Sequence, residues 1–490
     1  MSKQFLATTL IVLTSLAATP AYAAPARHQT ISDTPVPVTT FSAEELRNTD
    51  ILRSLTELKV DLEARARYEN AEQEGLLGSD ANTLGAKLGI TTLPVRGLYA
   101  RGAVESVIVP FGDRYANGVN SLGGTRSTIL DPATMEVSEA YIGYVREFDL
   151  SNIDVLKGPH GTLFETRVGR QTLNFDDGRW IGAADWRQNR SNYDAAYGSL
   201  SFGQAVDFRY SYVDARRNHI GHENADGIQN SDSHLFNFGT GLIPYTRASA
   251  FGYIVDMDDE NFLSSNTYGL RTKTDLPLNL LDKGLDPFAF KLDLSYARQT
   301  DAGTNPNDYS LNYYMAKPGL WYTPNFMAGR LFTQFGYEVF EGDNTTSVTT
   351  PWASNTGLSR HNGLTDAITT GVIIPEGLVD RSVSFGYKVD DIWPTCNLFN
   401  DAKLRFEWHD FGAETNDADY GDEWNVTYKQ ELGSWVTMDT GFGSFNAADG
   451  SPFNDTDRFF VQFTLKLQAD RNGVTGREKS FDWGTVRPSF

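Results

Sequence analysis

The sequence predicts an all-β protein: a closed antiparallel transmembrane β-barrel of about 18 strands behind a short N-terminal extension with one helix. Three observations carry this. Apolar and charged residues alternate with period two through most of the chain. The alternation recurs in stretches about ten residues long, separated by Gly/Asn/Asp-rich segments and often ended by Tyr, Trp or Phe, as in a barrel with aromatic girdles. And beyond the leader no stretch approaches the ~18 uninterrupted apolar residues a membrane-spanning helix requires.

Lys3 and the apolar run from Phe5 to Ala18, then Pro20 and Ala21-Tyr22-Ala23, form a secretory leader of residues 1–23, so the mature chain is expected to begin near Ala24. Residues 24–56 should be a periplasmic extension, Pro- and Thr-rich to Thr40 and then helical over Ser42 to Leu58. Ser42 stands at the N-cap and Glu45 three residues on completes a capping box. The barrel should occupy 57–490.

The strand grammar is clearest in "AKLRFEWHDF", where Ala402, Leu404, Phe406 and Trp408 alternate with Lys403, Arg405, Glu407 and His409. A soluble sandwich has no use for so charged an inner face. Val60, Leu62, Ala64, Ala66 and Tyr68 alternate with Asp61, Glu63, Arg65 and Arg67, and Phe288 to Tyr296 repeats the pattern, as do Val383 to Val389, Trp424 to Tyr428 and Phe459 to Leu467. A spanning sheet must close, because an open edge in hydrocarbon leaves backbone groups unpaired. At about 24 residues per strand plus connection, the chain from 57 onward makes about 18 strands; 16 also fits the even number such barrels prefer.

Composition bounds the rest. Gly at 44, aromatics at 12% and a single cysteine, Cys396, describe a β-protein without an intrachain disulfide. A mean hydropathy of −0.38 is compatible with strands that turn only alternate residues to lipid. The net charge of −21 argues against nucleic acid as a partner and fits long acidic surface loops such as Asp256 to Asn261 and Asn416 to Glu423.

Two resemblances follow from particular stretches. "VDLEARARYENAEQEG" (60–75), "TLGAKLGITT" (83–92) and above all "GRQTLNFDDGRWIGAADWRQNRSNYDAAYGS" (169–199) resemble the alginate-export family of outer-membrane channels. In the last, a Trp-Arg-Gln-Asn strand is expected to lead to Tyr-Asp. Islands at Thr34 to Asn48, Phe148 to Phe164 and Arg477 to Phe490 resemble the plug opening, plug end and last strand of TonB-dependent receptors. The alternation from Val60 and Thr83 stands where a globular plug should lie, and too few residues follow Glu165 for a 22-stranded receptor barrel. The aromatic terminus Phe490 resembles the ending recognised by the outer-membrane insertion machinery.

No Gly-x-Ser-x-Gly, His-Glu-x-x-His, Cys-x-x-Cys or phosphate-loop pattern occurs, so no enzyme, cofactor or metal site is expected. His219, His222 and Glu223 read as a solvated loop, and Asn416 to Glu423 lacks the distal Glu of a calcium loop. Function should then lie in lumen charges. For an acidic polysaccharide, which the alginate-export resemblance implies, or for a smaller solute, the candidates are Arg65, Arg67, Lys87, Arg170, Arg179, Arg187, Arg190, Arg209, Lys403 and Arg405, since guanidinium matches carboxylate. Asp61, Glu63, Asp176, Asp177 and Glu407 would space these charges, or pair with them across strands and stiffen the wall. Expected partners are outer-membrane lipid and lipopolysaccharide, an anionic polysaccharide and periplasmic export components, in the outer membrane of a Gram-negative bacterium. A shortened receptor, an adhesive barrel and a barrel-borne hydrolase are the alternatives.

Overall fold

The computed structural model describes residues 41–112, 114–148, 162–202, 205–325, 329–353, 361–389, 401–470 and 473–475. The leader, the extension to residue 40, the receptor-like stretch at 149–161 and the C-terminal island lie outside them. Eighteen long strands, from β1 (Lys59–Gln73) through β18 (Thr456–Asp470), form one antiparallel sheet, and β1 pairs with β18 to close it. A three-residue strand β19 (Gly473–Thr475) pairs antiparallel with the end of β18.

The expected 18-stranded barrel is therefore what forms, and the stretches of apolar–charged alternation become wall strands. "VDLEARARY" lies in β1, Phe288 to Tyr296 in β11 (Phe288–Asp301), and "AKLRFEWHDF" in β15 (Ala402–Gly412). Outward-facing apolar residues such as Leu88, Val168, Phe236, Leu270, Phe385 and Phe406 are exposed and form the belt that meets lipid. β1, β2 (Ser79–Thr91), β3 (Leu98–Ile108) and β4 (Thr134–Phe148) carry the runs from Val60 and Thr83, so those runs form wall and not a globular plug.

The expected single helix is two. α1 (Ala43–Asn48) carries the capping box at Ser42 and Glu45, and α2 (Ile51–Thr56) starts afresh because the Asp50 side chain accepts from Arg53 N–H. Asn48-Thr49-Asp50 are weak helix formers that bond their own backbone, which breaks the run.

Connections divide by length. Those at one end include residues 92–97, 203–205 and 433–435, while the other end carries 109–133, 172–191 and 341–377. Short turns are periplasmic and long loops extracellular in such barrels. The helices lie at the periplasmic end: Phe41 packs edge-on against Tyr99 of β3 at 5.1 Å, and Leu46 joins it against the inward cluster Tyr99, Tyr141 and Val145. Glu45 meets Lys59 at 3.0 Å, and Ser54 donates to the Leu93 carbonyl at 2.5 Å.

Candidate functional site

The site is the barrel interior, and its main occupants are three long loops that turn inward. The sequence reading took long loops as acidic surface. Instead Leu173, Phe175, Trp180 and Ile181 of 172–191 and Val348, Trp352, Ile368 and Ile374 of 341–377 pack against inward residues of β6 (Asn192–Phe202) to β17 (Val436–Ala447), among them Tyr193, Tyr253, Tyr313, Phe340 and Phe445. Trp352 is wholly buried, 5.7 Å from the Tyr193 ring, and its carbonyl accepts from Gly182 N–H at 2.8 Å. A fully buried side chain of this size contributes about 1.5–3 kcal/mol. Loops that carry so many such residues stay inside.

On the opposite side the loops are held by charge. Arg67 and Glu69 of β1, Arg458 of β18, Asp131 of loop 109–133, Arg187 of loop 172–191 and Asp366 of loop 341–377 form a buried hexad, three cations against three anions. Arg67 meets Asp131 at 2.9 Å and Glu69 at 3.5 Å; Arg187 meets Asp366 at 3.1 Å, Glu69 at 3.6 Å and Asp131 at 3.7 Å; Arg458 meets Glu69 at 2.5 Å and Asp366 at 3.8 Å. The Arg67 guanidinium also lies 4.2 Å over the Trp186 ring, which abuts Phe460. The hexad is balanced, so burial costs least while it is whole.

Most predicted lumen residues are inward but already engaged. Glu63 accepts from Arg65 at 2.5 Å, Arg190 at 2.5 Å and Lys466 at 3.0 Å, and Arg190 also meets Glu105 at 3.0 Å. Arg65 donates to the carbonyls of Asp185 and Arg187. Asp61 pairs with Arg101 at 2.6 Å, and Lys87 with Glu139 at 3.3 Å. Arg179, Arg187 and Arg190, with Asp176 and Asp177, sit on an inward loop and not on strands, and the expected Trp-Arg-Gln-Asn strand is part of that loop. Arg179 meets Glu338 at 2.5 Å, Asp177 meets Arg271 at 2.9 Å, and Asp176 accepts from Asn237 at 2.8 Å. Burial, with Arg179 nearby, pushes the His361 imidazole down to about 3, so it stays neutral.

Arg170 is a correction. It stands next to last in β5 (Thr162–Gln171) on the parity of exposed Val168, while its neighbour Gln171 is wholly buried on the inner side. It therefore faces outward and pairs with Asp194 at 2.7 Å. The His219/His222/Glu223 loop likewise stays separate: His219 is buried, whereas His222 is exposed and contacts Glu136 at 2.6 Å. Among the described residues no cluster of three or more His, Cys, Asp or Glu is arranged to hold a metal.

Lys403, Arg405, Glu407 and Arg209 remain on the inner wall with part of their side chains open. Arg405 pairs with Glu407, and Arg209 with Asp207 at 3.1 Å. Cross-strand register adds residues the sequence reading missed. Arg330 of β13 (Arg330–Phe340) stands directly opposite Lys388 of β14 (Leu378–Val389), Lys388 opposite Lys403 of β15, and Lys403 opposite Lys429 of β16 (Asp419–Leu432). Four consecutive strands thus carry a cation at one height. One inward position toward the extracellular end, Trp321 of β12 (Ser310–Tyr322) and Phe332 stack at 4.5 Å, with Lys291 4.6 Å and Arg330 5.4 Å over Trp321 and Lys403 5.2 Å over Phe332. Gly386 faces Phe332 across the strand pair, and a Cβ there would stand 2.1 Å from the ring. The alternating runs around Lys388, Lys403 and Lys429 held the parity of each; only the register puts them in a row with Arg330.

Comparison with known proteins agrees with this geometry. Residues 56–217 match the alginate-export family model. No curated protein matches the sequence. Among solved structures the chain is similar to OccAB4 of Acinetobacter baumannii, with a TM-score of 0.58 and 15% identity over 84% of this chain and 98% of that one. OccAB2 of the same organism gives 0.59 and 12% over 84% and 98%. The outer membrane protein OpdK of Pseudomonas aeruginosa, also crystallised with vanillate, gives 0.57 and 11% over 84% and 99%. At such identities the likeness is one of fold, that of a Gram-negative outer-membrane barrel.

Proposed function

We propose that this outer-membrane barrel is a passive, anion-preferring channel whose solute carries carboxylates, an acidic polysaccharide being the first candidate and a smaller ring-bearing carboxylate the second. The observation that carries the reading is the row Arg330, Lys388, Lys403 and Lys429 over the Trp321 and Phe332 rings. Like charges directly opposite one another destabilise a sheet. Lys429 also stands opposite Asp439 of β17; a passing carboxylate adds a further anion to the row, and the stacked rings offer a flat face to a sugar or aromatic ring. The likeness of residues 56–217 to the alginate-export family supports the polymer, and the vanillate found with OpdK supports the smaller carboxylate.

The test is the reversal potential in a planar bilayer under a salt gradient. The native protein should select anions, and K403E with K388E should move the reversal potential toward cations. Oligouronates should block the native pore, and benzoate-type carboxylates should block it if the smaller class is right. A reversal potential indifferent to these substitutions refutes the reading. The placement of Phe41 and Leu46 in the periplasmic mouth favours one second reading, a gated pore in which α1 is a stopper. Under it, L46D should raise conductance without changing selectivity.

A further inference from the structure

The outer wall carries a cationic group where a membrane barrel ordinarily presents apolar side chains. Arg170 of β5, Asp194 of β6 and Arg217 of β7 (Val206–Arg217) meet near the extracellular end. Asp194 accepts from Arg170 Nε at 2.7 Å and Nη2 at 3.1 Å, and from Arg217 Nε at 2.9 Å and Nη2 at 2.8 Å. Arg170 Nη1 also donates to the Val137 carbonyl at 3.1 Å. One carboxylate balances one of two guanidiniums, so the triad is net positive. Each side chain keeps between a fifth and a third of its surface open, at 23%, 23% and 29%.

Its surroundings are what single it out. Val168 and Ile142, both 65% exposed, lie on the neighbouring outward positions of β5 and β4, and Val137 and Met135 continue the exposed apolar surface along β4. A cation flanked by apolar groups above and below fits an amphiphile with an anionic head, not a free inorganic ion. The height fits too: β5 ends at Gln171, one residue beyond Arg170, Asp194 stands at the start of β6 and Arg217 ends β7, so the group lies toward the rim where headgroups are met. Asp194 engages the Nε and Nη2 edge of each guanidinium and holds the two side by side, so the N–H groups left over on the pair can be offered together to one tetrahedral phosphate.

We infer that Arg170, Asp194 and Arg217 form a binding site for the phosphorylated sugar headgroup of an outer-leaflet lipid of the lipid A type, whose acyl chains lie along Val168 and Ile142. The site is independent of the pore, since all three side chains face away from the lumen.

The experiment uses the full-length protein in detergent, with diphosphoryl lipid A, dephosphorylated lipid A, phosphatidylethanolamine and inorganic phosphate as probes, read by native mass spectrometry. Native protein should retain diphosphoryl lipid A and release the dephosphorylated form. R170Q/R217Q should lose affinity for diphosphoryl lipid A by about tenfold or more, with phosphatidylethanolamine unaffected, while R170K/R217K keeps an intermediate affinity. Heat-modifiable migration on gels verifies that the variants are folded, and single R170Q supplies the reading should the double variant not fold. Equal retention of both lipid A forms, equal binding by native and R170Q protein, or saturation by inorganic phosphate alone would each overturn the assignment.

Discussion

Replacing Arg187 with Met tests whether the hexad is what keeps the loops inside. Arg187 is 1% exposed and touches all three anions of the group. Met fills much of its volume but removes the charge, leaving Glu69, Asp131 and Asp366 against Arg67 and Arg458. Removing one partner from a buried ion group costs about 3–5 kcal/mol. At about 1.4 kcal/mol per tenfold, that shifts the equilibrium between docked and released loops by roughly two to four orders of magnitude. Single-channel recording should show a larger and noisier conductance, and the heat-modified transition should fall. R187M/E69Q restores charge balance and should recover a large part of both. An R187M channel with native conductance, native noise and native thermal transition would refute the claim that charge holds the loops.

Three further outcomes are expected. W352A opens a cavity in the apolar side of the interior and should destabilise the barrel by about 3–5 kcal/mol, read as a lower thermal transition, without altering ion selectivity. His222 is raised above its ordinary value, chiefly by its hydrogen bond to Glu136, so its contribution is complete below about pH 6.5 and fades as pH rises through the raised value. Hydrogen exchange across 218–227 should therefore differ between H222Q and native protein at pH 5.5 and coincide at pH 9; a difference constant with pH would contradict this. G386A pushes a methyl group into the Phe332 ring, and should weaken block by ring-bearing carboxylates more than block by simple ones, measured as the ratio of inhibitory concentrations.

The wall was legible because period two is a local signal: each of the quoted runs, from Val60 to Leu467, became a strand in the expected sense. The interior was not, because what decides it is remote in sequence. Arg67 donates to Gln462, 395 residues away, and the hexad joins five separate elements. Glu69 and Arg458 could have been found, since both continue the inward parity of runs already read. A second signal stood in plain letters: Leu173, Phe175, Trp180, Ile181 and Trp186 are too apolar for a loop in water. Arg170 was misplaced because charge alone does not say which water a residue meets; at the rim, an outward guanidinium finds headgroups instead of lumen.

The seam between the first and last long strands has a consequence for biogenesis. β1 and β18 pair from Val60 opposite Ala469 to Gln73 opposite Thr456, so the wall cannot be completed until nearly the whole chain has been made. Such a remote pairing is slow to form. It is also checked: slipping by one residue would turn Arg458 to the outer face and strand Glu69 without its 2.5 Å partner. The charges that fasten the loops thus proofread the closure, and only a barrel zipped in the right register can bury them.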